Sequence, residues 1–87
     1  MEQMQRDNKL RRFQVLCNKP EMFAITAGLI LTAKGLDKGV DALIEEDRWY
    51  AQIADCIIKG DVSTVTDDER VAFIDLHVKM LDNAEQR

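Results

Sequence analysis

Twelve consecutive residues, Met22 to Ala33 (MFAITAGLILTA), carry no charge in a chain where 32% of residues are charged. A helix that is apolar all round must be covered on every side. Eighty-seven residues lie near the low end of what folds alone. Coverage from within is therefore scarce, and the run points to a second copy of the chain or to a partner protein. It is too short to span a bilayer, which takes about 20 apolar residues. The first twelve residues are polar and hold Arg6, Lys9, Arg11 and Arg12, and no apolar stretch leading to a small-residue cleavage site follows, as it would in a signal peptide. The expectation is a soluble cytoplasmic protein without a membrane segment. There Cys17 and Cys56 are reduced, buried small hydrophobes rather than a disulfide.

One Pro and four Gly leave few turns and hence long elements, and Ala, Leu, Glu, Lys, Gln and Met favour helix. In the first segment Leu10, Phe13, Leu16 and Cys17 form one apolar stripe. Asn18-Lys19-Pro20 is a stop and restart, with Pro20 suited to the first turn of the next helix and Glu21 to its positive end. That second helix has three aspects: Met22, Ile25, Leu29 and Ala33; Phe23 and Ile30; and a strip of small residues, Ala24, Ala27 and Gly28, beside Leu31. Gly35 reads as its C-terminal cap and Asp37 as the next N-cap, before an apolar turn at Val40, Leu43 and Ile44. Glu45-Glu46-Asp47 is either a solvated shoulder of one long helix or a break capped by Asp47. From Trp49 to Ile58 the apolar face broadens, and Lys59-Gly60 reads as a helix end. Thr66-Asp67-Asp68-Glu69 reads as a capping box, and the last helix carries Val71, Phe73, Ile74, Val78, Met80 and Leu81. No strand-like alternation and no repeat is present. The reading is all-α: a compact four-helix bundle forming one domain over 1–87, with helices at about 3–17, 20–34, 37–59 and 66–84. It becomes five helices if the third breaks, neighbours run antiparallel where connections are short, and the bundle pairs as a homodimer.

Known chemistries find little to stand on. Asp61-x-Ser63 opens like a calcium loop, but the places for a ligand, the Gly and the final Glu hold Val65, Thr66 and Ala72. Cys17, Cys56 and His77 are 39 and 21 residues apart, without the close pairs that nucleate a zinc site. His77 shares a stripe with Phe73 and Leu81 and reads as a packing or interface histidine. There is no activated Ser or Cys with a recognisable base and no Gly-rich phosphate loop. Asp41 and Glu45 share a face, and Asp68 and Glu69 start the last helix, but paired carboxylate motifs on facing helices are absent. These acids read as solubilising and dipole-matching. No enzymatic activity, cofactor or metal is expected.

Charge is unevenly placed. Residues 1–38 hold seven Lys/Arg against four Asp/Glu, and residues 39–87 five against twelve. Such a split is an intramolecular match, an assembly signal, a docking surface, or simply solvated faces that differ. A helix-turn-helix with its turn at Gly35 to Gly39 would present Asp41, Glu45, Glu46 and Asp47 to phosphates, which repel them. Nucleic-acid contact, if made, falls to Arg6, Lys9, Arg11 and Arg12, as a regulator using the basic N-terminal helix. The favoured reading is a small non-catalytic protein–protein interaction module of adaptor or stoichiometric-inhibitor type, of a size common among phage and mobile-element accessory proteins. Its partners are itself and another protein. Self-association is expected through Phe23, Ala24, Ala27, Gly28, Leu31, Trp49, Ile53 and Ile57. An acidic face of Asp41, Glu45, Glu46, Asp55, Asp67 and Asp68 steers it to a basic surface. Trp49-Tyr50 serves as core anchor or interface hot spot.

Overall fold

A computed structural model of the chain describes residues 2–33 and 45–85. All regular structure among them is helical: α1 (Glu2–Asn18), α2 (Pro20–Ala33), α3 (Glu45–Lys59) and α4 (Asp67–Glu85). The expected cap at Gly35, the N-cap at Asp37, the apolar turn at Val40, Leu43 and Ile44, and Asp41 lie outside the described residues, as does any helix leading into α3.

Lys19 alone separates α1 from α2. Its N–H donates to the Leu16 carbonyl at 3.3 Å, and its own carbonyl accepts from Phe23 N–H at 3.1 Å. Lys19 thus closes one helix and starts the next, with Pro20 in the position where a missing donor costs nothing. Laid end to end, α1 and α2 would run about 46 Å at 1.5 Å per residue. The longest dimension is 38 Å, so the two helices bend at this junction. One residue is also fewer than the two to five or so of an antiparallel helix hairpin. The expectation of antiparallel neighbours is corrected here: α1 turns a corner into α2 and does not double back. It does hold for α3 and α4, where Glu46 meets Lys79 and Tyr50 meets His77. Helices α1 and α4 run the same way, since Arg6 pairs with Asp68 and Lys9 with Asp75.

The α3–α4 connection is specified residue by residue. Gly60 adopts φ +77°, the left-handed region that only Gly enters cheaply. Gly60 N–H donates to Ile57 O at 3.1 Å and Asp61 N–H to Cys56 O at 3.0 Å, the paired bonds of a Schellman helix end. The capping box forms at the start of α4: Glu69 N–H donates to Thr66 Oγ1 at 3.2 Å, and Thr66 N–H donates to Glu69 Oε1 at 3.0 Å. Between these ends Arg70 reaches back from α4. Its Nε donates to Val65 O at 3.1 Å and its Nη2 to Val62 O at 2.9 Å, while its guanidinium lies 5.0 Å from the Phe13 ring centre. One planar fork thereby ties the loop to both α4 and α1. Replacing Arg70 with Ala is expected to cost about 2 kcal/mol, because charged donors to carbonyls are among the stronger hydrogen bonds. Arg70→Lys recovers little, since an ammonium cannot hold two carbonyls in a fixed fork. Urea midpoints and faster amide exchange over residues 61–66 check this.

The core is aromatic. Phe13, Phe23, Tyr50 and Phe73 are buried together with Ala27, Ile30, Ile53, Ala54, Ile57, Val65, Ile74, Leu76 and Met80. Leu16, Cys17, Leu31, Trp49, Cys56, Val62, Val78 and Leu81 pack around them. The acidic shoulder is not wholly solvated: Glu45 and Glu46 are exposed, but Asp47 is buried and partnered inside the first turn of α3, and does not sit at a cap.

Candidate functional site

Helix α2 is the element whose sequence asks for cover, and the fold covers one side of it. Phe23, Ala27 and Ile30 turn inward and are buried. Phe23 lies 6.0 Å from the Phe73 ring and 5.7 Å from the His77 ring. The opposite side faces solvent. Met22 is 64% exposed, and Ile25 and Leu29 are 67% exposed each. Their spacing of i, i+3, i+7 puts them in one row. Val15 of α1 is also exposed but lines a separate cleft beside His77. Met22 further lines a cleft of about 450 Å³ with Asn18, Lys19, Pro20 and Glu21.

This arrangement redistributes the eight residues expected to self-associate. Phe23, Ala27, Ile53 and Ile57 are buried in the chain's own core. Ala24, Leu31 and Trp49 are half-buried and Gly28 is exposed. The first four are consumed by intramolecular packing and are placed below the surface. The outward row of Met22, Ile25 and Leu29 is one of the three apolar aspects of this helix and lies outside those eight residues.

Of the residues expected to form an acidic face, Asp41 lies outside the described residues and the others are spread along α3 and α4. Glu45 and Glu46 begin α3, beside Lys79 late in α4 (Glu46 to Lys79, 4.0 Å). Asp55 pairs with Lys59 at 2.9 Å on the same helix. Asp67 and Asp68 begin α4, and from Asp68 to Lys79 is about 16 Å along the axis. Asp68 is itself taken by Arg6 at 2.7 Å. The basic helix is similarly engaged: Arg6 binds Asp68, and Lys9 binds Asp75 at 2.7 Å, with Arg11 and Arg12 exposed further along. Part of the charge asymmetry is therefore an intramolecular match between α1 and α4. Hydrogen bonding to Asp68 and its charge raise the Arg6 pKa, and Asp55 does the same for Lys59.

His77 is 5% exposed, and its Nδ1 lies 2.8 Å from the Tyr50 hydroxyl. The imidazole is parallel to the Tyr50 and Phe73 rings. Burial, and secondarily the Arg12 charge, push its pKa below the ordinary histidine value. Burial pushes the Tyr50 hydroxyl up. The pair is thus a hydrogen bond between neutral groups inside an aromatic stack. A smaller cleft of about 220 Å³ touches His77 between Arg12, Val15, Leu16 and Ile74. Cys17 and Cys56 are free thiols, both half-buried, and burial raises the Cys17 pKa against a lesser opposing effect of Arg70. Among the described residues no group of three His, Cys, Asp or Glu side chains is placed to hold a metal, and no helix is long and apolar enough to cross a membrane.

Fold and surface together define the class: among the described residues, an all-helical bundle with an aromatic core and an apolar face of α2 left in solvent. Comparison with known proteins finds no matching family model, no matching curated protein and no matching solved structure.

Proposed function

We propose that the protein acts as a protein-interaction module, and that the outward face of α2 is where it docks. The observation that carries this reading is the row of Met22, Ile25 and Leu29, about two-thirds exposed on a helix already packed on its other side. Single exposed hydrophobics need no explanation, but grouped ones rimmed by polar residues mark interaction sites, and exposed Asn18, Lys19 and Glu21 lie beside Met22 along one cleft. Full burial of an aliphatic side chain gains about 1.5–3 kcal/mol. Three such residues, one-third buried already, hold roughly 3–6 kcal/mol in reserve. Association costs about 4 kcal/mol or more. The face therefore gives useful affinity only to a partner that buries apolar surface of its own.

Such a site suits an adaptor or a stoichiometric inhibitor, which works by occupying a surface. The nucleic-acid alternative is weakened because two of its four cations, Arg6 and Lys9, are engaged by Asp68 and Asp75. The test is site-specific photo-crosslinking in the cells that make the protein. A photoreactive residue in place of Ile25 or Leu29 is expected to give discrete adducts, while one in place of exposed Ala72 on α4 gives none. Adducts that form equally at position 72, or none at 25 and 29, overturn the assignment.

A further inference from the structure

We infer that the cleft of about 220 Å³ between α1 and α4 is a binding site for a small monocarboxylate with an apolar body, held by the His77 Nε2–H and the Arg12 guanidinium; this stands apart from the α2 face. The histidine supplies the first observation. The Tyr50 hydroxyl has Nδ1 of His77 as its acceptor, and a neutral imidazole that accepts at one nitrogen donates at the other. Nε2 therefore carries the ring proton. It has no hydrogen-bond partner among the described residues, yet no buried side-chain nitrogen or oxygen among them goes unpartnered. The N–H of an otherwise buried ring thus reaches open space, and His77 lines the cleft.

Arg12 supplies the second observation. It stands on the facing helix and lines the same cleft, close enough for its charge to oppose protonation of the imidazole. The earlier cations of α1 are spent, Arg6 on Asp68 and Lys9 on Asp75. Arg12 has no ion-pair partner among the described residues. The rest of the lining is aliphatic: Val15 and Leu16 from α1 and Ile74 from α4. An apolar cleft with a few convergent polar groups is the usual form of a small-ligand site. Both polar groups here donate and one is charged, so the complement is an acceptor with a single negative charge. A carboxylate accepts from one group at each oxygen, and its bond to the guanidinium is charge-assisted. A cation is repelled by Arg12. A phosphate dianion would bring a second charge to aliphatic walls, with no second cation in the lining to meet it. The volume lies below the roughly 300 Å³ at which sites for drug-sized ligands begin, so the apolar body is a few carbons long. A free short-chain acid and an apolar C-terminal residue of a peptide both offer this chemistry.

His77 is the sole histidine of the chain, so its ring signals report on the site alone. Nitrogen-15 spectra of the imidazole, recorded at about pH 7.5 where the ring is neutral, test the proposal by titration with hexanoate. A saturable shift of Nε2 is expected, with a dissociation constant on the order of 1 mM, given the affinity that so few ligand atoms supply. Acetate lacks the apolar body and hexanamide lacks the charge, and both should bind at least about tenfold more weakly. Arg12→Gln should weaken hexanoate by about tenfold or more, the loss of one charge-assisted hydrogen bond. Arg11→Gln, the same loss of charge one residue away, should bind as wild type. Both positions are exposed, so neither change touches the core. An acetylated peptide ending in leucine, with a free carboxylate or with an amide, separates the two sources. If the free-carboxylate peptide binds at least as tightly as hexanoate and the amide does not, a C-terminus is the source. If hexanoate binds more tightly, a free acid is. No saturable shift with hexanoate or with the peptide, or acetate and inorganic phosphate as effective as hexanoate, overturns the site. Equal weakening by Arg11→Gln and Arg12→Gln overturns it as well.

Discussion

Phe73→Ala is expected to abolish cooperative folding at 25 °C. Phe73 is fully buried and stands at the centre of the aromatic core. Its ring lies 4.8 Å from Tyr50 in a stack, 5.8 Å from Phe13 edge-on, 5.9 Å from His77, 6.0 Å from Phe23 and 6.2 Å from Trp49. These five rings come from all four helices, so one side chain touches every element of the fold. Phe→Ala in a core costs about 3–5 kcal/mol. A domain of this size gains only about 3–5 kcal/mol from its core, so the loss equals the whole margin. The near-ultraviolet signal of Trp49 and Tyr50 should collapse, with helical signal partly retained and a broad thermal transition. Phe73→Leu keeps most of the volume and is expected to remain folded with a lowered midpoint. A sharp transition in Phe73→Ala within a few degrees of wild type would show that the core does not depend on this ring.

What the sequence discloses about this core follows the range of the interactions involved. The Schellman end at Gly60 and the capping box of Thr66 and Glu69 are written in residues no more than five apart, and both stand in the structure as read. Phe13 with its partners Leu16 and Cys17 was legible as a stripe because a single helix face suffices to define it. The face of α2 was not. Phe23 with Ile30 and Met22 with Ile25 and Leu29 are both apolar, and periodicity cannot choose between them. The choice is made by Phe73 and His77, some fifty residues away, whose rings receive Phe23. The charge split likewise left open whether basic and acidic halves meet within one chain, and they do so across 62 residues at Arg6 and Asp68. Asp47 misled because an acid in a run of three acids reads as solvated, whereas its position on α3 turns it inward. For the candidate site, the sequence supplied the helix and the need for cover, and the tertiary packing selected which side goes without it.

Acidification below pH 6.5 is expected to destabilise the protein through His77, and Tyr50→Phe to strand the same histidine. In the folded chain the neutral imidazole can accept the Tyr50 hydroxyl proton at Nδ1, 2.8 Å away. Protonation makes Nδ1 a donor, forces the Tyr50 oxygen to accept, and deprives the hydroxyl proton of its partner in a buried stack. The folded pKa is depressed, by burial first and the Arg12 charge second, so the unfolded chain binds the proton more readily. Stability is fully present above the unfolded value near 6.5 and falls as pH drops below it, levelling off under the folded value. Removing only the hydroxyl leaves a buried ring nitrogen unsatisfied at a cost of about 1–3 kcal/mol. Removing both partners, as in Tyr50→Phe with His77→Leu, should cost less than the two single changes added together, because no orphan remains. Urea midpoints at pH 7.5 and pH 5.0 separate these effects. Wild type should lose stability between the two, and the doubly substituted chain, lacking the imidazole, should lose much less. A wild type and a double variant with the same pH slope would mean that His77 does not carry the acid sensitivity. Additive single changes would mean that the Tyr50–His77 bond contributes nothing of its own.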